Sequence, residues 1–212
     1  YYRDVETILK NIKLNKIQKL VSVNRSEYKM NSTHPISRVK EMEKLNGFLY
    51  GFWQDNRGTL GITPEPLFVL KEGNLSTIAL AGTIDTSVKN YNEILLANDK
   101  EVNEHKYVIE DIKDKLVSNS THYEIQDTQI FNYGPIAHLK TDMTFFNIRH
   151  NASELMYKLS PTAALGGYPA KEGRDCLRQL EYYKHDKDKR DFGGILCFES
   201  EHECFALVCI RN

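Results

Sequence analysis

The sequence lacks most of what would send a chain to a membrane, a nucleic acid or an oxidising compartment. No apolar run in its 212 residues nears the roughly 18 needed to cross a bilayer as a helix, and the opening YYRDVETILK carries too much charge for a secretory leader. An excess of one charge is missing too: 28 Lys and Arg face 29 Asp and Glu, for a formal net charge of -1. Without a basic field there is no general attraction to nucleic acid or anionic lipid, so a small-molecule partner is the better expectation. Cysteine is scarce and unpatterned. Cys176, Cys197, Cys204 and Cys209 form no CxxC pair and lie in the last quarter, in or near apolar strand-like text such as ILCFES and CFALVCI. They read as reduced core residues of a cytoplasmic protein. No internal repeat is present, and the single charge run, KHDKDKRD at 184–191, mixes both signs and reads as a solvated turn.

What the chain does have is 41% hydrophobic and 27% charged residues, enough for one domain with a sizeable core. Val5, Ile8, Leu9 and Ile12 fall at helical spacing, and IQKLVSV after them reads as a strand. A polar, hydroxyl-rich segment leads to four β-rich runs, GFLYGFW, GTLGIT, PLFVLKEG and LSTIALAG, whose Gly, Asn and Pro boundaries predict an antiparallel meander. Ile94, Leu95, Val102, Val108, Ile109, Ile112 and Leu116 predict one long amphipathic helix over 90–116. Strand text from YEIQ to FFNIR, a helix at ASELMYKL, a helix at EGRDCLRQLEYY and two closing strands around FGGILCFES and CFALVCIR complete the pattern. The fold class is α+β, with largely antiparallel sheets and helices packed outside.

Between those last two helices stands LSPTAALGGYPAKEG, a stretch with almost no side-chain chemistry. Two physical readings fit it. Pro and Gly simply end one helix and start another, or Gly166 and Gly167 let backbone N–H groups approach an anion beside a helix N-terminus.

The motifs around that stretch bring a resemblance into view. ITPEPLFVLKEGNLSTIALAGT resembles the SPE and AGT segments of the chorismate-utilising enzymes, a family that includes isochorismate, salicylate, anthranilate and aminodeoxychorismate synthases. NDKEVNEHKYVIEDI resembles their Lys-Asp-x-x-Glu-His helix, IAHLKT their His-Leu strand, LSPTAALGGYP their Pro-Thr-Pro-Ala loop, and RDFGGILCF with CFALVCIR their closing strands. The resemblance covers nearly the whole chain and implies the chorismate-binding enzyme fold.

It also implies roles. Lys19 in IQKLVSV matches the lysine that activates water in isochorismate and salicylate synthases, where the amine-transferring members carry glutamine. A lysine serves as a base near neutral pH only if burial or nearby cations disfavour its charge, so Lys19 is expected to point inward, with Lys16 and Leu20 facing the other way. Glu65 in TPEPL matches the general acid that protonates the departing 4-hydroxyl, a task that needs a raised pKa. Glu104 matches a carboxylate of the Mg²⁺ site, with Glu101 three residues earlier on the same helix as the alternative. Thr83 and His138 match residues that position the ring, Arg211 an arginine that pairs with a substrate carboxylate, and Gly166 and Gly167 a backbone wall for the dicarboxylate.

The pattern has departures: Pro66, Ser160 and Ala163 stand where the family commonly has arginine, histidine and proline. Family members continue past CIRN into a Gly-rich turn and a helix with further Mg²⁺ carboxylates, so residues 1–212 are expected to be a fragment of the catalytic domain. Lys19, together with Ala81 and Phe192 at positions where amine-transferring members differ, favours conversion of chorismate to isochorismate, serving menaquinone or siderophore synthesis. Salicylate synthase, an anthranilate or aminodeoxychorismate synthase component, and a non-catalytic chorismate-binding remnant are the alternatives. A monomer or homodimer is expected, with a separate partner chain as a further possibility.

Overall fold

Residues 136–146, IAHLKTDMTFF, carry the simplest pattern in the chain, and the rest of the fold is arranged around them. In the computed structural model, which describes residues 2–22, 39, 42–55, 57–180 and 193–210, this segment is strand β8 (Ile136–Phe146). Ala137, Leu139, Thr141, Met143 and Phe145 are buried in strict alternation with half-buried neighbours, as a sheet with one covered face requires. β8 pairs along its length with β5 (Asn74–Asp85), and β5 with β4 (Pro66–Lys71). The other edge of β8 takes β6 (His122–Ile125) and β7 (Gln129–Tyr133) in succession. Beyond β4 lie β11 (Glu203–Ile210) and then β10 (Gly193–Glu199), which completes a seven-stranded sheet whose pairings are all antiparallel.

Helix α3 (Asp99–Leu116) covers this sheet, with Val108, Ile112 and Leu116 fully buried against Phe68, Leu75, Met143 and Phe145. Leu155 and Leu159 of α4 (Ala152–Leu159) close the same core. Truncating any of these to alanine is expected to cost about 2–5 kcal/mol. A second, smaller core joins α1 (Tyr2–Lys13) and α5 (Ala170–Leu177) through Ile8, Ile17, Cys176, Leu177 and Leu180. Between α1 and α5 run two short strands, β1 (Lys19–Leu20) and β9 (Gly167–Tyr168), paired antiparallel. The four cysteines are free thiols, two buried and two half-buried.

Four expectations from the sequence change. The helix over 90–116 is two helices, α2 (Tyr91–Ala97) and α3, because Asn98 takes an extended conformation and its side chain caps α3 by accepting from the Lys100 and Glu101 amides. The four-strand meander is divided. β2 (Phe48–Gln54) and β3 (Arg57–Thr63) form a separate hairpin sheet, and only the next two strands join the large one. Pro64 and Pro66 flank the break, and each lacks the N–H that would continue a ladder. The strand at IQKLVSV shortens to two residues, and the helix expected at 172–183 begins at Ala170 and ends at Leu177. The α+β class stands. No helix among the described residues is long and apolar enough to cross a membrane.

Candidate active site

The two short strands place the lysine. Lys19 pairs with Tyr168 and Leu20 with Gly167, while Gln18 N–H donates to Tyr168 O and Val21 N–H to Gly166 O. Strand alternation then sends Lys19 inward to 8% exposure and leaves Lys16 exposed, with Leu20 packed on the smaller core. The Lys19 amine donates to the Ala163 carbonyl at 2.6 Å and lies 3.4 Å from Glu104 Oε1. Burial lowers its pKa, and Glu104 chiefly, then Glu65, oppose that by stabilising the charged form.

The bare stretch between the helices now has a structural reason. A Cβ on Gly167 would come within 2.6 Å of Leu20 Cδ1, 2.9 Å of Gly173 Cα and 3.0 Å of Lys19 O. Gly173, inside α5, meets Gly167 in return at 2.8 Å. Glycine lets the loop, the lysine strand and α5 touch backbone to backbone. The Gly166 amide is engaged within the loop, donating to Thr162 O at 2.8 Å.

Glu65 sits at the break between the two sheets, 5% exposed, its own amide donating to Thr63 Oγ1 at 3.2 Å and its carbonyl accepting from Val208 N–H. Burial raises its pKa from 4.5 to about 8, against the pull of Lys19 toward ionisation. A carboxyl in that state is a proton donor at neutral pH. The two groups influence each other, an amine with its charge disfavoured beside an acid that keeps its proton.

On the strand side, β5 carries a bulge at Ala81 to Thr83, centred on Gly82, whose φ of +75° would strain an L side chain. The bulge frees the Thr83 amide from the ladder, and Glu101 Oε2 accepts it at 2.8 Å. Thr83 Oγ1 lies 3.0 Å from His138 Nδ1, with Thr83 exposed and the imidazole half-buried and its pKa lowered by burial. Glu101 also accepts from Lys100 at 2.6 Å, and Lys100 reaches Glu104 Oε2 at 3.5 Å. Lys19, Glu104, Lys100, Glu101 and Thr83 therefore form one continuous polar line along the start of α3. His105 is turned away from it, buried at 3% with Nε2 at 2.8 Å from Thr141 Oγ1 and its pKa pushed down to about 4 by burial.

The structure thus gathers Lys19, Glu65 and Glu104, sets Thr83 beside His138, and packs Gly166 and Gly167 next to the lysine strand. Arg211, Phe192 and the charge run at 184–191 lie outside the described residues. Two groups that the sequence reading left unremarked touch the same loop: Asp111 accepts the Ala163 amide at 2.8 Å, and Lys115 donates to Pro161 O at 2.9 Å. Their signal was present. Asp111 and Lys115 stand immediately before Ile112 and Leu116, on the apolar stripe of the helix rather than opposite it.

The candidate oxygen donors for Mg²⁺ here are Glu104, already flanked by two ammonium groups, and Glu101, already holding Lys100 and the Thr83 amide, and no cluster of three ligating His, Cys, Asp or Glu occurs among the described residues. A hard cation takes six or more oxygens, so these residues alone do not make its site.

Comparison with known proteins agrees with the motifs. The family model described as "Chorismate binding enzyme" matches residues 1–186. The isochorismate synthase MenF of Haemophilus influenzae is 26% identical over 98% of this chain and 50% of its own length. The isochorismate synthase EntC of Escherichia coli K12 is 31% identical over 72% of this chain and 40% of its own. The structure of anthranilate synthase component I from Streptococcus pneumoniae superposes with a TM-score of 0.75 at 17% identity, covering 98% of this chain and 47% of that one. The chain spans about half the length of the curated relatives it matches. With the family match over most of its residues, the fold shared along its length and the motif residues gathered around Lys19, the chain belongs to the chorismate binding enzymes.

Proposed function

We propose that the protein converts chorismate to isochorismate, with Lys19 as the base and Glu65 as the acid. The observation that carries this reading is the buried pair itself: an amine 8% exposed and a carboxyl 5% exposed, the second protonated up to about pH 8. Lys19 takes a proton from a water molecule, the oxygen bonds to C2 of the ring, and the ring double bonds shift. The C4–O bond breaks as Glu65 gives its proton to the departing hydroxyl, which leaves as water. One water enters and one leaves, so the change is an isomerisation. General acid and base terms of this kind are each worth about 10²–10⁴ in rate.

Thr83 and His138 supply a hydroxyl and an imidazole for the ring hydroxyls, while Arg211 and the backbone at Gly167 are assigned to the carboxylates, the Gly166 amide being held by Thr162 O. Fold alone does not choose this reaction, since an anthranilate synthase component shares it; the choice rests on a lysine at position 19. Mg²⁺ enters the proposal through Glu104, with its remaining oxygens drawn from outside the described residues; when bound, it would neutralise a substrate carboxylate.

The test is to incubate the full-length protein with chorismate and Mg²⁺ and separate the products by chromatography. Isochorismate is the expected product. Salicylate with pyruvate, or an ammonia-dependent aromatic amine, would replace the assignment, and binding without turnover would favour a chorismate-binding remnant.

A further inference from the structure

Asp111 and Lys115 form an ion pair that the proposed chemistry does not use. They lie four residues apart on α3 and meet at 2.7 Å, with side chains 2% and 11% exposed. Stability gives little reason for such a pair, because two well-packed apolar side chains in its place are often as good or better. Its other bonds are concentrated on one target. Asp111 Oδ2 accepts the Ala163 amide at 2.8 Å, and Lys115 Nζ donates to Pro161 O at 2.9 Å and to Leu159 O at 3.5 Å. The three backbone groups lie at the last residue of α4 and in the first residues of the loop that follows it.

Ala163 is fully buried, and its carbonyl is the group that accepts from Lys19 at 2.6 Å. Its amide is thus fixed by Asp111 while its carbonyl fixes Lys19. A neutral amine has two N–H bonds and one lone pair, so anchoring one N–H on a fixed carbonyl limits where the lone pair can point. The other end of the loop is held to the same helix, where Tyr168 stacks on Tyr107 at 5.5 Å between centroids and donates to Asp114 at 3.4 Å.

We propose that Asp111 and Lys115 are positioning residues for Lys19, acting through Ala163, whose amide and carbonyl belong to the two successive peptide units joined at its Cα. The pair sets the height and tilt of that carbonyl, and the carbonyl sets the amine. This rests on the reading of Lys19 as the base. A misplacement near 1 Å in such a group is worth about 10²-fold in rate, with little change in ground-state binding.

The test uses the full-length protein, steady-state kinetics with chorismate, and two double variants. In Asp111→Leu with Lys115→Met the pair becomes apolar and the Ala163 amide loses its acceptor; kcat should fall about 10- to 100-fold with KM within about twofold and the unfolding midpoint little changed. In Asp111→Asn with Lys115→Met the acceptor remains, and kcat should recover to within a few-fold of the parent. Lys115→Met alone removes the grip on Pro161 and should lower kcat by an intermediate amount, which provides a reading if the Leu and Met variant does not fold. Placed in a Lys19→Gln background, Asp111→Asn with Lys115→Met and Asp111→Leu with Lys115→Met should give the same residual turnover, because both act through the lysine. A kcat within twofold of the parent in the Leu and Met variant, an effect on KM alone, or an undiminished further loss in the Lys19→Gln background would overturn the inference. Parental turnover by Lys19→Gln itself would instead remove the underlying reading of Lys19.

Discussion

Replacing Glu65 with glutamine should make the folded protein gain resistance to denaturant as pH rises, relative to the parent. The sign follows from the shift. In the fold the carboxyl keeps its proton up to about pH 8, whereas in the unfolded chain it loses it near 4.5. Below the lower value both states are protonated and the group contributes nothing to the pH dependence. Between the two values the unfolded state is stabilised by ionising and the native state is not, so stability falls as pH rises. Above about 8 the native carboxyl ionises too, and the loss levels off. The interval of 8 minus 4.5, or 3.5 units, at about 1.36 kcal/mol each gives an upper bound of roughly 5 kcal/mol. Relaxation and water entry around a real buried carboxylate reduce this, and ~2 kcal/mol is the working figure. Glutamine has nearly the same shape and no charge to lose, so its stability curve lacks this component. Urea unfolding followed by far-UV circular dichroism at pH 5, 6, 7, 8 and 9 measures it directly, given equal m values. The difference in unfolding free energy between variant and parent should be near zero or slightly unfavourable at pH 5 and shift in the variant's favour by pH 8. A flat difference, or a glutamine variant that loses ground as pH rises, would mean that Lys19 holds Glu65 ionised and that burial is the weaker effect. The same substitution should lower turnover about 10²–10⁴-fold, since the donor of the leaving-group proton is gone.

Lys19→Gln should suppress water addition to chorismate by about 10²–10⁴ while chorismate affinity, measured by calorimetry, stays near the parental value; unchanged turnover would make the lysine a bystander. Glu104→Gln removes one anionic oxygen from the start of α3, so Mg²⁺ titrations of activity should need at least several-fold more metal, and an unaltered requirement would move the metal role to Glu101. Gly167→Ala drives a methyl group into Leu20, Gly173 and the Lys19 carbonyl at 2.6–3.0 Å; the expected destabilisation is about 1–3 kcal/mol, read as a lower urea midpoint, and an alanine variant as stable as the parent would show that the contact relaxes freely.

The large sheet and its covering helix were legible in the sequence because each residue's environment there depends on its near neighbours. Alternation at 136–146 and the stripe from Val108 through Ile112 to Leu116 are local consequences of a two-residue and a 3.6-residue period, and both survive in the structure. So are the motif residues, whose identity is a property of the chain alone. Boundaries that depend on partners were not legible. Asn98 divides a continuous helical pattern because its side chain caps the helix after it, and the hairpin at 48–63 leaves the meander where two prolines interrupt the ladder. The site shows the same division. That Lys19 is a lysine was written in the sequence; that it is 8% exposed, bonded to Ala163 and opposed to Glu104 depended on β1 pairing with β9 across more than half the chain. The raised pKa of Glu65 likewise needed the desolvation supplied where two sheets part. The Gly-Gly stretch, which the sequence left between a plain helix break and a wall for an anion, is a three-way backbone contact whose necessity appears only once Leu20, Gly167 and Gly173 are within van der Waals distance. Asp111 and Lys115 went unremarked on the apolar stripe because a periodic pattern carries no information about the loop that comes to rest on them. Sequence fixes chemistry and period, whereas burial, and with it the protonation state on which a base and an acid depend, is decided by segments far apart in the chain.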